Sequence, residues 1–524
     1  MAEEWDVVVV GAGTAGCAVA ARLADAGRRV LLLEAGADHR EPGDFPAELR
    51  DPASMRAVVP GHAANWDLEA ELVPGRTARV PRGRVVGGSS ALYAGSFIRG
   101  TRADLDGWAA AGNDLWSYDA VLPVFCRLES DADFGGRPGH GSDGPVPVAR
   151  PPGPHPLADA FAAAAAELGH PAEPDKNADG PPGYGPVPFT VSGGIRVNTA
   201  MAYLSPRRGH AGLTVRGGVR AQRVVVESGR AVGVATTAGV VRAAEVVLSA
   251  GAVGSAHLLL LSGVGPADRL RSAGVPVVAD VPGVGADTSD HPLVYVPFRP
   301  ARPVPPPPGG LPVHGVLHAT SEGAGRPGDL ELLPWLVPFG RLTGSAGATD
   351  ADELAIGVGL QCGDSRGRLS LRTADPSRQP RLEYRYLTEE ADRRRMRAGV
   401  RLAAALLRAD ALAPLVAPGG GPPAAGLGAP VRDAAVLDAA VLDDDAELDR
   451  WVRSRLTTAV HLAGTARMGP DADPGAVVDQ WLRVRGVTGL RVADTSVMPQ
   501  VTSRGTAASA VMIGERAAEL MTAG

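Results

Sequence analysis

The stretch DVVVVGAGTAGCAVAARLADAGRRVLLLEAG, residues 6–36, constrains the fold more than any other part of the chain. Val7 to Val10 form an unbroken apolar run, the pattern of a parallel strand buried on both faces. Gly11, Gly13 and Gly16 follow as Gly-x-Gly-x-x-Gly. Between a strand and a helix, the first glycine makes the turn and the second lets a pyrophosphate approach the backbone. The third lets helix pack on strand. Ala18, Ala21 and Ala24 keep that helix thin, and Gly27 ends it. Val30 to Leu33 form a second strand closed by Glu34, a carboxylate placed to accept hydrogen bonds from an adenosine ribose. A lone glycine triplet would say little. Strand before, helix after and terminal acid together predict a dinucleotide-binding unit.

The rest of the chain decides which dinucleotide. An NAD domain would continue at once through alternating strands and helices, but this pattern breaks off and returns much later. Residues 244–265, AEVVLSAGAVGSAHLLLLSGVG, offer a strand, a small-residue turn and a helix. Residues 489–499, GLRVADTSVMP, offer a strand ending in Asp494. A domain split by insertions, with late segments wrapping the far end of a long cofactor, favours FAD.

Composition sets the outer bounds. A chain of 524 residues holds two or three ordinary domains, or one large α/β enzyme with insertions. A net charge of −6 gives no electrostatic reason to expect nucleic acid or anionic membrane as a partner. The basic residues are nearly all arginine, with the single lysine Lys176, which reads as a coding bias rather than a binding footprint. Cys17, Cys126 and Cys362 are too far apart and odd in number for a disulfide framework or a zinc site, and no metal is expected. Cys17 is expected to be a small buried residue of the first helix. No basic-then-apolar leader precedes the first strand, and no uncharged run approaches the roughly 18 residues of a membrane helix. A cytoplasmic location is expected.

At residues 83–100, GRVVGGSSALYAGSFIRG, the pattern becomes specific. It resembles the first signature of the glucose-methanol-choline (GMC) oxidoreductases, a Gly-Gly-Ser-Ser loop laid against the flavin. Residues 251–265, GAVGSAHLLLLSGVG, resemble the second signature, with Ala256 where the family usually has Pro or Ser. HGSDGPVPV (140–148), VPGVGADTSDHP (281–292), SRGRLSLRTADP (365–376) and HLAGTARMG (461–469) follow in family order. The resemblance covers essentially the whole chain. It implies an α/β (α+β) enzyme that oxidises alcohols, with a Rossmann-like FAD domain discontinuous in sequence. Beside it stands a substrate domain whose antiparallel sheet is roofed by helices. The FAD domain is expected over 1–40, 80–150, 195–295 and 455–524, and the substrate domain over 41–79, 151–194 and 296–454. Besides the glycines and Glu34, the resemblance implies cofactor contacts from Thr14, Ala15, Val85, Gly87, Gly88, Ser89, Tyr93, Ala94, Gly95, Ser96, Val219, Ala250, Asp494 and Thr506. The 89–95 loop holds no histidine, so the histidyl-flavin link of some members is not expected and FAD should be non-covalent.

Two segments read as inserts. The proline-rich 298–312 cannot be a central strand and is expected to be an extended loop, with a lid over the substrate entrance as the alternative. Residues 415–431 are rich in Gly and Pro, and a helical pattern follows at 432–456. Its Asp-Asp-Asp run reads as a solvated face or a helix start.

Oxidising an alcohol removes a hydroxyl proton and moves a hydride from the same carbon to flavin N5. A neutral imidazole suits the proton step, because its ordinary pKa of about 6.5 lies near working pH. In the family, the histidine of the His-x-x-Gly-Thr motif faces N5; that position is His461. A second polar residue, His or Asn, normally follows before the last helix, and here the aligned position is Gly505. Glycine supplies neither base nor side-chain hydrogen bond. Arg504, Ser503 and Thr506 are its neighbours; Arg504 could bind a carboxylate or stabilise an anionic flavin, or be merely structural. The last helix, about 506–521, should present Val511, Ile513 and Leu520 to the core, with its N-terminus toward the flavin pyrimidine. Tyr93 stands where the family has Asn or His, and His291 reads as a structural residue at a domain boundary.

The leading expectation is an FAD-dependent alcohol oxidoreductase. A lyase or light-driven decarboxylase on the same scaffold is the rival, kept open by Gly505 and Arg504; a flavin-binding protein without turnover is a third reading. The substrate is a small-molecule alcohol, and the electron acceptor is oxygen, a quinone or another redox carrier. The VTSRG end is similar to actinobacterial members associated with mycofactocin.

Overall fold

A run of four valines folds as the centre of a sheet because both of its faces can be covered. In the computed structural model, which describes residues 5–344, 353–417 and 437–523, Trp5–Val10 is the middle of a parallel sheet. Val30–Leu33 and then Leu213–Arg216 lie on one side of it, and Gly239–Leu248 followed by Leu490–Val492 on the other. Four stretches far apart in sequence thus build one sheet. The first half of Gly239–Leu248 also pairs antiparallel with Arg230–Thr236, which pairs in turn with Ala221–Glu227. Helix Thr14–Asp25 covers one face and packs against the C-terminal helix Ala507–Thr522. Gly514 sits at that crossing, where an added Cβ would lie 2.5 Å from the Ala15 carbonyl oxygen. In the last helix Val511 and Ile513 are buried as expected, while Leu520 is only half-buried.

The second sheet is wholly antiparallel. Its strands run in the order Thr457–Thr458, Pro292–Phe298, Leu354–Leu360, Leu330–Pro334, Gly315–Ala319, Tyr184–Pro186. Side chains alternate between its faces. Val358 and Leu330 meet helix Glu390–Arg408, whose Gly399 lets the helix approach: a Cβ there would lie 2.7 Å from Val358 Cγ1. The opposite face carries Leu293, Gly359 and Glu331 in one register row, and Tyr295, Gly357 and Leu333 in the next.

Sheet pairing moves the expected domain boundaries. The division at 295 falls inside strand Pro292–Phe298, which belongs entirely to the antiparallel sheet. Thr457–Thr458, placed by sequence in the FAD domain, is that sheet's edge. The division at 79/80 cuts strand Arg76–Val80, which pairs with Leu68–Val73. These boundaries follow hydrogen-bonded partners distant in sequence, which composition does not reveal.

After Phe298 the proline-rich segment leaves the sheet and is pinned by Ala301 N–H to the Leu415 carbonyl and Ala417 N–H to the Arg299 carbonyl. Most of the 415–431 insert, and the start of the helical pattern assigned to 432–456, lie outside the described residues. Within them the pattern is two helices, Ala439–Asp443 and Asp445–Arg455. The Asp-Asp-Asp run is a helix start: Asp444 caps the second helix by accepting from the Ala446 and Glu447 N–H groups. Cys17 is fully buried. No helix among the described residues is long and apolar enough to cross a membrane.

Candidate active site

A cavity of about 1060 Å³ runs between the two sheets. That is at the upper end for a small-molecule site, room for a dinucleotide with space beside it. Of the residues expected to touch the cofactor, Gly11, Gly13, Thr14, Ala15, Glu34, Gly88, Ser89, Tyr93, Ala94, Gly95, Ser96, Val219, Ala250, Asp494 and Thr506 line it. Gly16, Val85 and Gly87 do not; they act one layer behind. Gly16 packs helix on turn, and a Cβ there would collide with the Gly11 carbonyl oxygen at 1.9 Å. Val85 is a buried apolar residue, and Gly87 adopts a left-handed turn at φ +88°.

The lining suits a long anionic ligand. Helix Thr14–Asp25 has no side-chain cap at Gly13, and helix Ala507–Thr522 has none at Thr506. Both starts line the same cavity, so two sets of free backbone N–H groups face it. Gly13 and Gly88 approach each other so closely that a Cβ on Gly88 would lie 2.7 Å from Gly13 Cα. That bare backbone is a cradle for a pyrophosphate. Glu34 accepts from Ala12 N–H (3.1 Å) and Gly36 N–H (2.8 Å), and burial pushes its carboxyl up to about 7. Asp494 accepts from Gly251 N–H, Ser255 Oγ, and the N–H and Oγ of Ser496, so it fixes the turn before helix Gly251–Leu261. The residues present fit FAD.

His461 stands at the junction of the two sheets, lining the cavity three residues after edge strand Thr457–Thr458. The local chain is strained: Val460 holds φ +62°, a conformation a β-branched residue rarely adopts. Asp290 holds the strain in place. Its Oδ1 accepts the N–H of His461 (2.8 Å) and of His291 (2.7 Å), and its Oδ2 accepts the Thr458 hydroxyl (2.9 Å). The His461 ring is then fixed by His291, Nδ1 to Nδ1 at 3.0 Å with the rings near perpendicular. Burial, aided by Arg82, lowers His461 to about 3; burial also drives His291 well below its ordinary value. Both imidazoles are neutral near pH 7.

Gly505 lines the cavity beside this ring. An added Cβ would lie 3.5 Å from His461 Nε2 and 3.7 Å from Cε1. The position aligned with the family's second polar residue therefore does sit against His461, and it is bare. Arg504 does not fill the gap, which corrects its candidacy for the vacant polar role. Its buried side chain turns away from the cavity, donating to the Gly328 carbonyl (3.2 Å) and the Ser503 carbonyl (2.6 Å). The loop before the last helix is pulled that way because Ser503 is anchored on Asp104 through both N–H and Oγ. The decarboxylase alternative loses the arginine that supported it.

Sequence reasoning passed over Asp290 and took His291 as structural. The signal was the Ser-Asp-His of 289–291, whose relation to His461, 170 residues away, needs the fold.

Family models decide what this architecture is. Residues 5–293 and 363–514 match the N- and C-terminal models of the GMC oxidoreductases. The chain is a GMC oxidoreductase. Among its relatives is an uncharacterized GMC-type oxidoreductase in the thcA 5′ region of Rhodococcus erythropolis, 37% identical over 529 residues, with 99% of each chain covered. Mouse mitochondrial choline dehydrogenase is 35% identical, with 99% of this chain and 89% of the relative covered. The crystal structure of pyridoxine 4-oxidase from Mesorbium loti superposes with a TM-score of 0.86 at 30% identity, covering 98% of both chains. As a GMC oxidoreductase, the chain is an FAD-dependent alcohol oxidoreductase.

Proposed function

We propose that this GMC oxidoreductase converts an alcohol to a carbonyl with His461 Nε2 as the proton acceptor, on FAD held without a covalent bond. The observation that carries the reading is the His461 ring, its Nδ1 fixed by His291 and its Nε2 edge toward the bare Gly505. FAD, when bound, supplies the acceptor for the carbinol hydride. The protein's part is to position the alcohol and take its proton. For Nε2 to accept, the ring proton must sit on Nδ1, which then donates to His291 Nδ1. Neutral His291 is thus the orienting partner, as in nucleophile–base–orienter arrangements. The free N–H groups at the start of Ala507–Thr522 face the cavity and favour negative charge as it develops on a bound ring. Non-covalent binding is supported by Tyr93, whose hydroxyl donates to the Pro81 carbonyl at 2.7 Å, and by a loop without histidine.

Anaerobic stopped-flow bleaching of the flavin by an alcohol panel tests the reaction. In His461→Ala, flavin reduction should fall by roughly 10²-fold or more with FAD retained, the scale of a lost general base. Reduction at the wild-type rate would remove His461 from the mechanism. Acid precipitation should release the flavin into the supernatant; flavin remaining with the pellet would refute non-covalent binding.

A further inference from the structure

A cofactor held without a covalent bond stays only as long as the shell around it stays closed. Much of that shell is sheet and helix, but at one end it is a hairpin loop. There the lining residues Arg79, Arg372, Ser377 and Arg378 are exposed, so the cavity meets the surface between them. This is the end beside Glu34, the residue placed for the adenosine ribose. The Val219 N–H donates to the Glu34 carbonyl at 2.8 Å, and Arg220 follows Val219.

The loop is 371–380, between strands Arg368–Ser370 and Arg381–Glu383, which pair antiparallel. It is a preformed turn: Asp375 accepts the Ser377 N–H and hydroxyl, both at 2.8 Å, and its carbonyl takes the Arg378 N–H at 3.2 Å. Two side chains then fasten it across the opening. Gln379 exchanges a pair of hydrogen bonds with the Glu69 backbone, its Oε1 accepting the N–H and its Nε2 donating to the carbonyl, each at 3.1 Å. Arg220 donates to the Pro376 carbonyl.

Arg220 has no carboxylate partner among the described residues; Asp375, the acid that acts on it, is tied to Ser377. Its guanidinium lies over the Trp66 ring at 5.2 Å, with Arg84 over the same ring at 5.3 Å. Burial and Arg84 both disfavour the Arg220 charge, and the indole face and the Pro376 carbonyl offset them. Trp66 lines the cavity, so this clasp joins 66–69, 220 and 376–379. His257 lines the same end, 8% exposed, and its ring has no hydrogen-bond partner among the described residues. Burial and Arg220 lower it to about 4. A neutral imidazole can give one hydrogen bond and accept another, which suits the edge of a nucleobase.

We propose that residues 371–380 are a retention strap over the adenosine end of the cofactor site, fastened by Arg220 and Gln379, and that its opening limits cofactor release. The inference rests on the proposed non-covalent FAD. The bonds that tie the loop down are few and sit at an exposed rim, so opening it costs less than opening either sheet.

The experiment dilutes holoenzyme and reads the release rate from free-flavin fluorescence. Arg220→Met keeps length and apolar cover over Trp66 but removes the donor. It should speed release by about 10- to 150-fold, the scale of a hydrogen bond from a charged group. Gln379→Ala removes the other fastening and should speed release about fivefold or more. Hydrogen exchange of the holoenzymes, read by mass spectrometry, tells a strap from a general weakening of the fold. In both variants exchange should quicken in residues 66–71 and 371–380, while the central strand Trp5–Val10 stays as in wild type. Release at the wild-type rate in either variant overturns the proposal. So does faster release with exchange rising in Trp5–Val10 as well. Acid precipitation of the wild type keeps the two readings apart. Flavin that stays with the pellet ends the non-covalent reading and the strap with it. Flavin freed by acid, yet lost at one rate from wild type and variants on dilution, ends the strap alone.

Discussion

Replacing His291 by alanine tests whether the base is prepared by its neighbour. The wild-type contact joins the buried His291 ring to the half-buried His461 ring at 3.0 Å, both neutral, and the proton between them decides which nitrogen of His461 is free. Without His291, Nδ1 of His461 loses its acceptor in a site with no exposure at position 291. A typical neutral hydrogen bond contributes about 0.5–1.5 kcal/mol, and leaving its buried donor unpaired costs about 1–3 kcal/mol. The ring can avoid that penalty only by moving its proton to Nε2, the wrong nitrogen for accepting one. Either way the reactive state is disfavoured by about 1–3 kcal/mol, or roughly 5- to 150-fold in the rate of flavin reduction. The Asp290 contact to the His461 backbone is untouched, so FAD content and substrate affinity should hold. The assay is single-turnover flavin reduction with a saturating alcohol, with ¹⁵N NMR of the His461 ring reading the tautomer. His291→Asn, which can offer an amide oxygen in place of the ring nitrogen, should recover part of the rate. Wild-type reduction in His291→Ala, with FAD at full occupancy, would refute the reasoning and return His291 to a packing role.

Two further outcomes test other parts of the structure. Gly505→Asn should fold and bind FAD, because its Cβ meets His461 Nε2 at an ordinary 3.5 Å; the amide beyond then occupies space next to the base. Flavin reduction by the bulkier alcohols of a size series should fall while methanol or ethanol is little affected; equal effects across the series would show that the glycine makes no room for substrate. In a separate cluster, His140 bonds Glu129 (3.0 Å) and Asp175 (2.8 Å), and Asp131 together with these carboxylates pushes it up to about 11. A histidine with a raised folded pKa contributes stability that is complete below about 6.5 and is lost as pH rises toward that folded value. The Tm deficit of His140→Gln should therefore be larger at pH 6 than at pH 9, by differential scanning fluorimetry; a pH-independent deficit would mean that His140 is not charged in the folded protein.

What could be read without coordinates was local or repeated in order. The opening strand, the glycine turn, the first helix and Glu34 follow from periodicity and from backbone that must come close to other backbone. The return at 244–265 and 489–499 is legible for the same reason, and the structure has it as strand Gly239–Leu248, helix Gly251–Leu261 and strand Leu490–Val492. His461 and the bare position 505 came from the family resemblance, and the fold sets them against each other. What the chain pattern did not carry was the direction in which a side chain leaves its loop. Arg504 adjoins the vacancy in sequence yet turns to the Gly328 carbonyl, because Ser503 anchored on Asp104 sets the local path. His291 is 170 residues from His461, and Lys176 is 142 from His318, so neither contact leaves a local mark. Periodicity reports which face of an element is buried; only the packing of distant elements decides which buried polar atoms meet. That pairing is what fixes the His461 ring.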